Sequence, residues 1–411
     1  MSVASLPKTA ARFADSRASV LFDLIRGLAA LVVLFEHSRN LFFIDYHQIT
    51  QHRGLLALPY LLSGAGHQAV VVFFLLSGYF ISGAVFRALD RNQWQWSDYL
   101  LRRFLRLWVV LVPALLLCLF WDKLGIRLGH APALYSGAVQ NHMIGDVRHL
   151  LAPHIFFGNL FFVQVVLTPV FGSDGALWSL AYEFWYYILF PLGILALRRR
   201  TQRLYRVVCA VLFVATAWFV RGGILLSFPI WLAGALLYKL PAPRLSAGAG
   251  YWLRIAAAAI YLPAFFGLAK IHTFPSLLND YILAILTFGL LWLLLSANDC
   301  YTPGSPGERA SRNLARFSYT LYAVHTPLLV FLASLLIGDT RWTPSLRTVA
   351  LFIGILLATV GYAYLLAYFT EFRTDTLRLR LERLFGMPTS RPALPSAPVT
   401  EAIAAREMAS Q

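Results

Sequence analysis

Apolar runs of about 17 to 24 residues recur along this chain, divided by short polar stretches rich in Arg, Gly and Pro, which is the pattern of helices that cross a lipid bilayer. Ten such runs predict spans over about 20–43, 66–86, 104–121, 177–197, 206–221, 224–240, 253–270, 280–297, 314–337 and 346–370. The fold class is therefore all-α, a polytopic transmembrane helical bundle of about ten spans with both termini on the cytoplasmic side. An eleventh apolar run, His154 to Phe171, does not fit the alternation. Basic clusters at Arg102, Arg103 and Arg106 and from Arg198 onward must both face the cytoplasm, and only one crossing is available between them and the outer side. The run is expected to be re-entrant or interfacial on the outer side. The turn Arg221-Gly222-Gly223 is so short that the fifth and sixth spans are expected to form a tight helical hairpin.

The apolar runs are interrupted by groups that hydrocarbon does not accept without a reason. The first span reads DLIRGLAALVVLFEH from Asp23 to His37. Arg26 and His37 are eleven residues apart, so on a helix they lie within roughly 20° of one face and about 16 Å apart along the axis. Simple snorkelling of Arg26 to the headgroups, with His37 at the opposite interface, is the alternative. The second span holds FFLLSGYFIS, with Phe73, Phe74, Ser77 and Gly78 at its middle, where small residues admit either a narrow ligand or a neighbouring helix. Arg103 and Arg106 share a face at the entrance to the third span and suit phosphate oxygens, or serve only as positive-inside anchors. The fourth span opens with LWSLAYEFWYY, in which Trp178, Ser179 and Glu183 enter from the same side on which His37 ends its helix. A Glu183–His37 pair is expected, because a carboxylate beside an imidazole fixes its tautomer and raises its basicity for proton abstraction. The ninth span carries RFSYTLYAVHTP, where Ser318, Tyr322 and His325 form one polar stripe that is either part of a site or a contact between helices.

Composition sharpens this picture. The chain has 411 residues, of which 59% are hydrophobic and 13% charged, with a formal charge of +16. In the segments defined above, 25 of the 35 Lys and Arg residues fall on the cytoplasmic side, 9 on the outer side, and Arg26 inside the first span. The positive charge is thus a topological signal, and no nucleic-acid partner is expected. Cys118, Cys209 and Cys300 have no ligand-like spacing and are expected as free thiols. The long outer loop from Asp122 to Trp178 is rich in His (His130, His142, His149, His154), but no pair stands at metal-ligand spacing on one helical face, and no metal is expected. The polar start, Met1 to Arg17, does not resemble a cleavable signal peptide. At the other end, Arg373 to Phe385 alternates Arg with Leu as a basic interfacial helix would, and the tail after Met387 is expected to be disordered.

Together, the Arg-x10-His first span, the FFxLSG second, the Arg-x-x-Arg before the third, the WSLxxE opening the fourth and the SYxLYxxH of the ninth resemble the acyltransferase-three family of integral membrane acyltransferases, over about residues 18–370. The resemblance implies a division into a cytoplasmic segment (1–19), a transmembrane acyltransferase domain (20–370) and a cytoplasmic basic helix with its tail (371–411). It implies an enzyme of the bacterial inner membrane that moves an acetyl or other short acyl group from cytoplasmic acetyl-CoA to a hydroxyl of an extracytoplasmic or lipid-linked sugar. His37, Glu183 and Arg26 would be the catalytic set; Arg103, Arg106, Ser77, Phe73 and Phe74 would hold the acyl-CoA; Trp178, Tyr322 and His325 would lie near the acceptor. Direct attack with His37 as base and an acyl-His37 intermediate are both open. Phe184 stands where many members carry a second acidic residue, and the His-rich outer loop is longer than expected, so the acceptor is left open. A secondary transporter would show repeated halves with interrupted helices, of which there is no trace in the sequence, and a non-catalytic component of glycan export would not need Arg26, His37 and Glu183 together.

Overall fold

The computed structural model describes residue 13 and residues 16–141, 144–270, 275–297, 304–337 and 340–384. Each predicted span is a helix. In chain order the helices of eight or more residues are α1 (Arg17–Phe42), the short α2 (Arg53–Leu62), α3 (Gly66–Asp90), α4 (Trp96–Leu128), the short α5 (Pro153–Leu160), α6 (Trp178–Leu197), α7 (Arg203–Phe219), α8 (Gly223–Lys239), α9 (Ala247–Leu268), α10 (Ser276–Leu294), α11 (Pro306–Leu336), α12 (Leu346–Phe369) and the short α13 (Thr374–Leu384). Eight helical stretches among the described residues are long and apolar enough to cross a membrane, and α8 is a shorter apolar helix. Local chemistry sets several of the starts. Ser16 caps α1, Ser305 caps α11 with Pro306 at its first position, and Ser345 and Thr348 form a capping box on α12.

The bundle is centred on α11, most of whose length is buried. Its packing on α1 and that of α8 on α3 are the two most extensive helix contacts. Both are made close by glycine. A methyl group on Gly27 would run into Leu314, and Gly78 and Gly234 bring the backbones of α3 and α8 into direct contact, so that a methyl on either would overlap main-chain atoms of the other helix. By contrast, α7 turns Val207, Val211, Val214 and Trp218 outward, an apolar exterior suited to lipid.

Two expectations about connections need correcting. The Gly222 turn is present, with φ +87°, but α7 and α8 do not lie along one another: α7 packs on α6 and α8 on α3. The hairpin fails because each helix finds a larger complementary face elsewhere. The run His154 to Phe171 forms no spanning helix. It contains α5 followed by turns, with Phe162 and Val165 at positive φ. Its irregular backbone is satisfied by side chains: Asn159 Nδ2 donates to the carbonyls of Ile155 (2.9 Å) and Pro169 (3.0 Å), Trp108 Nε1 to Leu160 (2.9 Å) and Trp185 Nε1 to Phe162 (2.9 Å). The returning chain is pinned to α4 where Asp122 accepts from Ser173 N (2.8 Å) and Oγ (2.6 Å). The preceding loop forms a small hairpin, β1 (Ser136–Asn141) with β2 (Ile144–Asp146).

α13 packs against α4, and its Glu382 is buried beside Arg378. Cys118 and Cys209 are buried free thiols. Cys300, His142 and the tail after Met387 lie outside the described residues.

Candidate active site

The first helix places its polar residues at two levels. Near its start, Arg26 Nη2 bonds Asp23 Oδ1 (3.1 Å), and Arg312 of α11 approaches the other Asp23 oxygen (3.4 Å), itself bonded to Glu308 (2.7 Å). This network leaves Arg26 aimed into the bundle, where it lines a cavity of ≈ 90 Å³.

The cavity is bounded by α1, α3, α4, α6 and α11, with Glu371 entering from beyond α12. Phe73, Phe74, Ser77 and Phe80 form its α3 wall, and Ser179, Glu183 and Tyr187 its α6 wall. Glu183 Oε1 accepts from Ser77 Oγ (2.9 Å) and from the Tyr187 hydroxyl, while Ser77 in turn accepts from Trp231 Nε1 (3.2 Å). Glu371 is held by Thr320, through its backbone N–H (3.1 Å) and hydroxyl (2.8 Å). Arg106 also lines the cavity and exposes much of its surface there, with Glu183 and Glu371 within electrostatic reach but without an ion pair to either. Glu183 and Glu371, each with hydrogen-bond donors of its own, share the cavity wall with the two guanidinium groups.

At the other level of α1 stands a pair of imidazoles. His37 Nδ1 is 2.8 Å from His325 Nε2, with the rings stacked at 5.0 Å between centroids and 25° between planes. The bond directions follow from the neighbours. His325 Nδ1 lies 2.9 Å from the Leu321 carbonyl, which can only accept, so His325 Nδ1 carries its proton and Nε2 is an acceptor. His37 Nδ1–H must then donate to it, and the lone pair of neutral His37 is left on Nε2. His325 is buried, whereas His37 is half-buried. Tyr322 joins the two levels: it lines the cavity, its ring lies 6.3 Å from that of His325, and its hydroxyl bonds Ser179 Oγ (2.7 Å) and the Ala176 carbonyl (3.0 Å).

Several sequence expectations are thus redistributed. Arg26, Phe73, Phe74, Ser77, Arg106, Glu183 and Tyr322 meet around one cavity, as does Ser318. The expected Glu183–His37 pair is not formed: Glu183 bonds Ser77 and Tyr187 deeper in the bundle, and His37 takes His325 as its partner. Arg103 is separated from Arg106; its guanidinium lies over the rings of Tyr99 (5.6 Å) and Tyr187 (5.9 Å) and does not line the cavity. Arg102 pairs with Asp98 (2.8 Å). Trp178 does not line the cavity but stacks near His67 (6.2 Å). Phe184, at the position where an acid was expected, stacks on Phe162 of the irregular segment at 4.5 Å. Tyr187, Tyr319 and Glu371 were missed as cavity residues. Tyr187 was discoverable, since it stands four residues after Glu183 on the same helical face. Among the described residues no group of three or more His, Cys, Asp or Glu side chains comes together as a metal site would require.

Fold and site define a multi-pass membrane protein with a chamber between its helices into which charged and hydroxyl groups project from apolar walls. The family model described as an acyltransferase domain, that of the acyltransferase-three family, matches residues 20–368. The chain belongs to this family and is accordingly an integral membrane enzyme that transfers acyl groups. No curated protein and no solved structure matches it.

Proposed function

We propose that this enzyme transfers an acetyl group from cytoplasmic acetyl-CoA to a hydroxyl of a glycan or lipid-linked sugar on the far side of a bacterial inner membrane. The observation that carries this reading is a cavity that presents Arg26 and Arg106, with the His37–His325 pair joined to its wall through Tyr322, whose ring lies 6.3 Å from that of His325. The cavity is small, ≈ 90 Å³, which suits part of the slender pantetheine arm with its thioester better than a whole nucleotide. Arg106, exposed and without a bonded carboxylate, meets the anionic end of the donor, and Arg26 lines the same cavity. Phe73, Phe74 and Ser77 line the arm's course toward Tyr322.

His37 Nε2 takes the proton of the acceptor hydroxyl as its oxygen attacks the thioester carbonyl. The new C–O bond forms, the C–S bond breaks, and the proton passes from His37 to the departing thiolate, giving ester and free CoA. His325 holds His37 in the tautomer this requires. Glu183, in place of orienting the imidazole, fixes Ser77 and shares the cavity wall with Arg106. Removing a general base typically lowers the rate about 100- to 10,000-fold. The test is acetyl-CoA binding and thioester cleavage by the wild type and His37→Ala in nanodiscs. Binding by both with cleavage only by the wild type is expected. Cleavage at the wild-type rate by folded His37→Ala removes His37 from the chemistry, and failure of the wild type to bind any acyl-CoA removes the donor.

A further inference from the structure

A second constellation lies beside His37 and is used by none of the steps above. His67 at the start of α3 places Nε2 2.9 and 3.0 Å from the two carboxylate oxygens of Asp280 on α10. Nε2 therefore carries a proton, and Nδ1 has no hydrogen-bond partner among the described residues. The His67 side chain is 49% exposed, whereas that of Asp280 is only 12% exposed. The imidazole lies nearly parallel to the indole of Trp178, with 20° between planes, and Trp178 is braced edge-on by Phe74 (6.1 Å) and Tyr182 (4.9 Å).

Two short paths connect His67 to the imidazole pair. Glu36, the neighbour of His37 in the chain, reaches Gly66 so closely that a methyl there would overlap its carboxylate. It thereby occupies the positive N-terminus of α3, one residue from His67. On the other side Trp178 precedes Ser179, whose hydroxyl bonds Tyr322, one turn from His325. The charges here compensate one another. Asp280 faces His67, Glu36 has Arg39 and Lys270 nearby, and Arg39 approaches Asp45 (3.7 Å).

We propose that His67, Asp280, Glu36 and Trp178 form the acceptor subsite and that its ligand is an uncharged carbohydrate ring. A pyranose has an apolar face of C–H groups, which an indole covers, and a rim of hydroxyls that need directional polar partners. With His67 as the imidazolium facing the Asp280 carboxylate, its Nδ1–H donates to that rim and the Glu36 carboxylate accepts from it, and the charge balance disfavours an acidic or basic sugar. A ring seated on Trp178 presents a neighbouring hydroxyl toward His37. This inference rests on the acyltransferase reading and assigns its acceptor.

The experiment uses the full chain in nanodiscs with saturating acetyl-CoA and follows CoA release with methyl glycosides of glucose, galactose, mannose and rhamnose, with methyl glucuronoside and methyl glucosaminide as charged controls. Stimulation by a neutral glycoside is expected. Asp280→Asn and His67→Ala are each expected to raise KM for that glycoside about tenfold or more while KM for acetyl-CoA stays within about twofold, the scale for loss of a hydrogen bond to or from a charged partner. Trp178→Phe is expected to retain more affinity than Trp178→Ala. Stimulation only by a charged sugar, by no glycoside in a wild type that cleaves acetyl-CoA, or equal changes in both KM values would overturn the assignment. Absence of acetyl-CoA binding in the wild type would instead refute the underlying acyltransferase chemistry.

Discussion

Replacing His325 by Ala tests whether the imidazole pair acts as a unit. The substitution removes the acceptor of the 2.8 Å bond from His37 Nδ1 while leaving His37 itself in place. A buried donor without a partner costs about 1–3 kcal/mol, and His37 escapes that cost by rotating or by moving its proton to Nε2, either of which takes the lone pair away from the acceptor hydroxyl. If the whole penalty appears in the transition state, kcat falls about 5- to 150-fold. KM for acetyl-CoA changes little, because neither imidazole lines the donor cavity. The assay is steady-state thioester cleavage with wild type, His37→Ala, His325→Ala, His325→Gln and the double alanine variant, each shown to be monodisperse and folded. His325→Gln, whose amide oxygen can accept, should recover part of the loss. The double variant should be no slower than His37→Ala, since removing the support of an absent base costs nothing further. A full-rate His325→Ala enzyme, or losses that multiply in the double variant, would refute the coupling.

Arg106→Gln is expected to raise KM for acetyl-CoA by about tenfold with a smaller effect on kcat, measured in the same assay, because it deletes an exposed cavity cation that has no ion-pair partner among the described residues. Arg103→Gln should change KM less, since Arg103 packs on Tyr99 and Tyr187. Gly78→Val drives side-chain atoms into the Trp231 carbonyl and should lower thermal stability by about 1–3 kcal/mol, read as an earlier unfolding midpoint of tryptophan fluorescence in detergent. An unchanged midpoint would show that α3 and α8 can separate freely there. At the far surface, the Arg341 guanidinium bonds Asp45 (2.7 and 3.3 Å) and holds its carboxyl below the usual range. The folded pKa being depressed, the stabilisation is complete above the unfolded value of about 4 and is lost as pH falls through the folded value. The stability difference between wild type and Asp45→Asn should therefore be at most about 1 kcal/mol at neutral pH and close in acid below about pH 4.

The spans were legible because bilayer thickness imposes one length and one composition on every crossing helix, and the ten predicted runs reappear as ten helices. The polar residues of the site were legible for the related reason that Arg26, Glu183 and His325 cannot sit inside apolar helices by accident. Their partners were not, because helical periodicity fixes which face a residue occupies but says little about its depth relative to a residue on another helix. His37 and Glu183 both belong to ends of spans on the same side, and that made a pair reasonable. Yet Glu183 lies more than a turn inside α6, level with Ser77 and Tyr187, whereas His37 is level with His325. The same limitation hid Glu371, which follows the last span in sequence and returns to the cavity through its bonds to Thr320. Helix neighbours follow the glycines more closely than the turns. Gly78 and Gly234 seat α8 against α3, and this contact, more than the length of the Gly222 turn, decides that α7 and α8 part company. The arrangement then has a chemical consequence. Gly78 and Ser77 are adjacent, so the close approach of α8 that Gly78 permits is what brings Trp231 Nε1 to Ser77 Oγ, and through it orients the hydroxyl that holds Glu183 in the cavity wall.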